Sequence, residues 1–293
     1  MNLLKIRRLM AALWLLAALP VLADCSVNPA TGQSTFTGLL SESEEQRIGR
    51  ESHPKVLAEF GGAYQDADLQ RYIDGIGQLL AQTSDRPDQQ YTFTVLDSPI
   101  VNAFAVPGGY IYVTRGVLAL ANDESEIAGV LAHEIGHIAA RHAAERYSQA
   151  GLASILAATV GIATGSGQLA NVAGSGAAVY LQSYSRDQEN QADLLGIRYM
   201  SRANYDPYGM VDFLRQLETD DRLDATLAGR PELADRYSIM STHPRTADRI
   251  QQTIREAGAT QVANPLVERE LYLSKINGLL YGDEPEQGYI RGR

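Results

Sequence analysis

A pentapeptide, His133-Glu134-Ile135-Gly136-His137, constrains this chain more than any other feature of its 293 residues. Its two histidines are four residues apart, so on a helix of 3.6 residues per turn they lie about 40° from one another around the axis and point the same way. Histidine is otherwise scarce, with five in the whole chain. Asp123 with Glu126 three residues later forms a capping box, which opens a helix expected to run to about Tyr147 with the pentapeptide inside it. Two imidazoles on one helical face at that spacing suit a tetrahedral zinc ion. Glu134, on the adjoining face, can reach a water beside the metal without binding the metal itself.

One helix supplies only two ligands, whereas catalytic zinc takes three protein ligands and keeps a fourth position open. A second helix, expected over Arg186 to Ala203, carries Glu189 and Asp193, again four residues apart on one face. Glu189 is the expected third ligand. Asp193 then accepts the N–H of a ligand histidine, so that the other ring nitrogen faces the zinc. A protease of the HExxHxxGxxH type would need Gly at position 140 and His at 143, and both are Ala. His142, five residues after His137, points about 140° away on an ideal helix, which makes it a surface or packing residue.

These parts ask for one Zn2+ per chain and for Glu134 as the base that takes a proton from water and passes it to the leaving amine. The oxyanion of the tetrahedral state needs a donor. His243, on a loop stiffened by Pro244, and Arg249, about a turn and a half further on, are the candidates. A histidine on a loop serves equally as a fourth ligand that displaces water and silences the enzyme, so two roles for His243 stay open. The strand Asn102-Ala103-Phe104-Ala105 is the expected substrate-binding rail, because an extended peptide can pair with a strand edge and small residues let it approach.

The rest of the chain is organised around that site. Lys5, Arg7 and Arg8 precede an apolar run from Leu9 to Ala23, the pattern of an export signal over 1–24, too short for a comfortable membrane span. Cleavage ahead of Asp24 and a lipobox ending at Cys25 compete. As the single cysteine of the chain, Cys25 has no disulfide partner within it, which favours lipidation there and a lipid anchor to a membrane. Residues 25–40 have the composition of a flexible tether, and 41–258 form the expected metalloprotease domain. Within it, Ser41 to Phe60 and Asp68 to Gln82 carry helical spacing. Tyr91 to Val95 alternates like a strand, and Pro107-Gly108-Gly109 turns a hairpin between Ile100–Val106 and Tyr110–Thr114.

Tyr147 to Ser185 holds no charged residue and admits three readings: a buried helical pair, a lid over the site, or a hairpin dipping into a membrane. Residues 220–236 form an expected acidic helical excursion. The tail, 259–293, is expected as a C-terminal extension or a linker into a further domain. The formal net charge of −10 becomes −12 once Lys5, Arg7, Arg8 and Asp24 leave with the leader, a balance that suits protein partners and not nucleic acid.

Four segments together, NAFAVPGGYIYVTRG (102–116), the HEIGH helix, SRDQENQAD (185–193) and THPRTADR (242–249), resemble the HtpX, CAAX-prenyl-protease and BepA-type metallopeptidase family over about residues 41–258. The resemblance implies an α+β, mostly α, zincin-type fold of the HExxH gluzincin kind, with a small antiparallel sheet. It implies zinc on His133, His137 and Glu189, with Glu134 as base and His243 and Arg249 near the substrate. The chain is similar to the exported periplasmic branch, which implies an outer-membrane-associated lipoprotein whose partners are misfolded or unassembled envelope proteins. A chaperone or assembly factor with a latent zinc site is the competing expectation.

Overall fold

The computed structural model describes residues 25–28, 30–38, 40–150, 183–228, 243, 247–282 and 288–290. The expected export signal, residues 151–182 of the uncharged segment, residues 229–236 of the expected excursion, Pro244 and the Cys25 side chain lie outside the described residues.

Two scaffold helices come first. α1 (Glu42–Glu59) opens on a capping box in which the Ser41 and Glu44 side chains each take the other's backbone N–H. α2 (Ala67–Thr83) is capped by Asp66 and buries Leu69, Ile73, Ile76 and Leu80 on the face their spacing requires. The sheet follows, as β3 (Thr92–Leu96), β4 (Ala103–Val106) and β5 (Tyr110–Thr114), in the order β3-β5-β4. β4 and β5 form the expected antiparallel hairpin, turned by Gly108 and Gly109 at φ of +85° and +90°. β3, however, runs parallel to β5, so the sheet is mixed and not purely antiparallel. Alternation could find three strands, but their mutual direction is set by how the connections cross.

After the short α3 (Arg115–Leu120), α4 (Glu124–Ala139) carries the pentapeptide through the centre of the molecule, with every one of its residues buried. Asp123 caps it by accepting the Glu126 N–H, while the Glu126 carboxylate accepts from the Asn122 N–H, one residue outside the expected box. α4 stops at Ala139, earlier than expected. Arg141 takes a left-handed conformation, φ +55°, and residues 142–150 start a new helical direction. α5 (Arg186–Arg202), opened by a Ser185–Gln188 capping box, lies against α4. Gly136 makes this closeness possible, since a Cβ there would sit 2.9 Å from the Ala192 carbonyl oxygen. α6 (Tyr208–Ala228) also packs against α4, and α7 (Ala247–Ala259) packs against α5 and α6.

The first and last described segments are docked where composition suggested looseness. β1 (Cys25–Val27) pairs with β2 (Ser34–Phe36), and the turn between them seats buried Asn28 so that its Nδ2 donates to the Ala140 carbonyl at 2.6 Å. The tether expected over 25–40 is therefore, in its described residues, a strap across the end of α4. Small polar residues lack bulk for a core but still supply hydrogen bonds.

The described residues of the tail are packed onto the domain in the same way. The Val267 carbonyl accepts from Glu124 N (3.1 Å) and Ser125 N (3.3 Å), two donors the first turn of α4 leaves open. α8 (Arg269–Lys275) sinks Tyr272 into the core, where its hydroxyl donates to the Leu118 carbonyl. No helix among the described residues is long and apolar enough to cross a membrane.

Candidate metal centre

α4 contributes His133 and His137, α5 contributes Glu189, and the loop before α7 contributes His243. One ligand atom from each lies within 4.8 Å of all the others, and all four residues are buried. His133 Nε2 is 3.0 Å from His137 Nε2 and 3.2 Å from His243 Nδ1. Glu189 Oε1 is 2.9 Å from His243 Nδ1 and 3.4 Å from His137 Nε2. The structure thus brings together the three sequence-expected ligands, and it adds His243 as a fourth member of the group.

Hydrogen bonding around the group fits a metal ion. Asp193 Oδ1 lies 2.9 Å from His133 Nδ1. An ionised carboxylate only accepts, so Nδ1 carries the proton and Nε2 offers its lone pair to the centre. Burial opposes ionisation of Asp193, but the Arg249 guanidinium outweighs it and holds the carboxyl below its usual range. Glu189 is 0% exposed; burial again opposes its charge, and His243 and Arg249 reverse this, leaving its carboxyl well below the ordinary value. Burial lowers His243, yet Glu189 and Glu134 beside it raise its pKa overall, so the centre favours positive charge. Glu134, 1% exposed, has two carboxylate oxygens that accept no hydrogen bond from the described residues. A buried carboxylate in that condition implies a missing partner, which a water beside a bound ion would supply.

Arg249, expected near the oxyanion, faces carboxylates with all three nitrogens. Nε and Nη2 donate to Asp193 at 2.5 and 2.8 Å, and Nη1 pairs with Glu189. Its geometry is that of a clamp on Asp193 and Glu189, because the strongest acceptors within reach of a buried guanidinium are ionised oxygens. His243 Nε2 is 3.5 Å from Glu134 Oε1.

The residues expected as a substrate rail divide between the two faces of the sheet. β4 is an edge strand of the sheet, and Ala103 and Ala105 face the core that includes α4. The Phe104 side chain points to the opposite layer, packed with Val56, Phe60 and Tyr112, so it is core and not a substrate contact. Strand pleating forces that division. Asn102 is wholly buried, with both amide atoms unpartnered among the described residues.

Two neighbours of the site escaped sequence reasoning. Tyr184 stacks on His137 with ring centroids 3.8 Å apart, and the Arg146 guanidinium lies 3.6 Å above the other tyrosine face. Burial pushes the Tyr184 hydroxyl up to about 12. His142, which helical phase pointed away from the other two histidines as a surface or packing residue, is packed against the site, 1% exposed, with Nδ1 2.8 Å from His137 Nδ1. The left-handed Arg141 resets the phase, and no residue preference announces a non-glycine in that conformation. Beside the group, a cleft is lined by Val130, Met210, Phe213, Leu214 and Leu217 together with His133 and Glu134.

Fold and site together define a zincin-type metallopeptidase domain. The chain belongs to peptidase family M48, whose description matches residues 67–257. It is 26% identical over 283 residues to a beta-barrel assembly-enhancing protease of Escherichia coli, covering 92% of this chain and 55% of that protein. It is 28% identical over 236 residues to the protein of the same name from Yersinia pestis, covering 75% and 46%. It is also 28% identical over 214 residues to the mitochondrial metalloendopeptidase OMA1 of Schizosaccharomyces pombe, covering 71% and 59%. The chain spans about half the length of the curated relatives it matches.

Proposed function

We propose that this chain is a zinc-dependent endopeptidase, one Zn2+ per chain, that hydrolyses misfolded or unassembled envelope proteins. The observation that carries the reading is the convergence of His133, His137 and Glu189 on one point beside a buried Glu134 carboxylate that accepts no hydrogen bond among the described residues. When bound, zinc supplies Lewis acidity to a peptide carbonyl and makes water acidic enough to lose a proton near neutral pH. Glu134 takes that proton and returns it to the leaving nitrogen. Asp193 fixes the His133 ring, and Arg249 fixes Asp193 and Glu189. The edge of β4 offers backbone groups to an extended chain, and the apolar cleft suits a bulky apolar side chain next to the cut bond.

The relatives named for beta-barrel assembly support an envelope role, and the leader and Cys25 support a periplasmic, outer-membrane-associated lipoprotein. Membrane fractionation of the wild type against Cys25→Ser checks the anchor, which requires the variant to turn soluble. For the activity, the purified chain is incubated with casein or an unfolded porin, with and without a chelator. Cleavage is expected to vanish with the chelator and in Glu134→Gln. Persistence in either condition overturns the mechanism, and binding without cleavage under every condition favours the chaperone reading.

His243 carries a second reading, because it belongs to the four-donor group. As a fourth ligand it occupies the position that water needs, and the chain is then self-inhibited. His243→Ala is expected to raise turnover if so. A fall shows instead that His243 assists the reaction.

A further inference from the structure

The proposed reaction leaves His142 without a part, although it is buried against a ligand. Its place depends on the turn that ends α4. Arg141, in the left-handed conformation, is gripped by the N-terminal strap and α1: its guanidinium donates to Glu45, to the Leu40 carbonyl at 2.8 Å and to Thr37 Oγ1 at 3.3 Å. Asn28 holds the preceding carbonyl, that of Ala140. The turn brings the His142 ring edge-on to His137, with centroids 4.9 Å apart and an interplanar angle of 72°.

At 2.8 Å between two Nδ1 atoms, one must donate and the other accept. The far side of His142 decides which. Its Nε2 lies 3.1 Å from Gln191 Oε1, while Gln191 Nε2 donates to Gln33 Oε1 at 2.9 Å. An amide oxygen only accepts, so His142 Nε2 carries the hydrogen and His142 Nδ1 is bare. His137 Nδ1–H then donates to it, which leaves His137 Nε2 with a lone pair aimed at the centre, 3.0 Å from His133 Nε2. A carboxylate does this service for His133, and a neutral histidine–glutamine pair does it for His137.

We propose that His142 is a positioning residue that holds His137 in its metal-binding tautomer, with Gln191 setting the direction of the relay. This rests on the zinc reading above. The polarity makes it testable on the full chain by zinc affinity, measured in competition with a chromophoric chelator. Gln191→Glu keeps an acceptor opposite His142 Nε2 and is expected to bind zinc as tightly as the wild type. Gln191→Lys presents a donor, reverses the relay and is expected to weaken zinc roughly 10–100-fold, the usual cost of losing a partner of a ligand histidine. Likewise His142→Leu is expected to weaken binding, and His142→Asn, whose Oδ1 can stand where Nδ1 stood, to restore it.

Gln191 is only part-buried, so its two variants should unfold at similar temperatures without metal, which separates polarity from folding. Equal zinc affinity in the Gln191→Glu and Gln191→Lys variants overturns the relay while leaving the zinc reading intact. A wild type that binds no zinc sinks both.

Discussion

Asp193 shows how much a single buried side chain does here. It accepts from Arg249 twice and from His133 once, and Thr253 Oγ1 lies 3.4 Å away. Its carboxyl is held below the ordinary range by Arg249 against the opposing effect of burial. A depressed folded value means that its contribution to stability is present above the unfolded pKa, about 3.9, and is lost as pH falls through the folded value. In metal-free protein, Asp193→Asn should cost roughly 3–5 kcal/mol near pH 7, the usual result of breaking a buried pair. Thermal melts across pH check this: the gap between wild type and variant should narrow in acid, and a gap independent of pH contradicts the account. The sequence placed Asp193 beside a ligand through its spacing to Glu189, but it could not show that Arg249 belongs to the same cluster and not to the oxyanion.

Helix packing decides whether Glu189 reaches the histidines at all. α4 and α5 approach closely because Gly136 faces the Ala192 backbone and Gly196 faces α4, where a Cβ on Gly196 would sit 3.2 Å from His133 N. Gly136→Val should push α5 outward and lower zinc affinity at least tenfold, since ligand geometry tolerates little displacement. Gly75, exposed on α2 with open space around it, is the control: Gly75→Ala should stabilise by about 0.5–1 kcal/mol through helix propensity and leave zinc affinity unchanged. Unchanged zinc binding in Gly136→Val would show that the helices have slack. Caps and apolar spacing made α1, α2 and α5 legible with ends within a few residues. The end of α4 was not, because a left-handed Arg141 carries no glycine to announce it.

At the scale of the molecule, the strap and the described part of the tail brace opposite ends of the metal-bearing helix. The strap satisfies the Ala140 carbonyl, and the tail satisfies the first amides of α4 through Val267. Tyr272 fastens the tail by full burial and its bond to Leu118, so Tyr272→Ala should cost about 3–5 kcal/mol by leaving a cavity. Denaturant unfolding measures it, and a loss under about 1 kcal/mol would show that the tail is dispensable. Composition made both segments look loose because it registers bulk and polarity, whereas docking here depends on a few backbone partners.

By itself the sequence determined the chemistry: HExxH on a capped helix and a Glu189/Asp193 face on another fix which donor atoms exist and which way each helix presents them, since helical phase is a local property. Only the tertiary structure decided which long-range neighbours complete them, with His243 joining the group, Arg249 clamping Asp193 and Glu189, His142 backing His137 and Phe104 turning into the core. Those outcomes depend on the close approach of separate elements and on one left-handed turn, and neither has a signature in residue spacing.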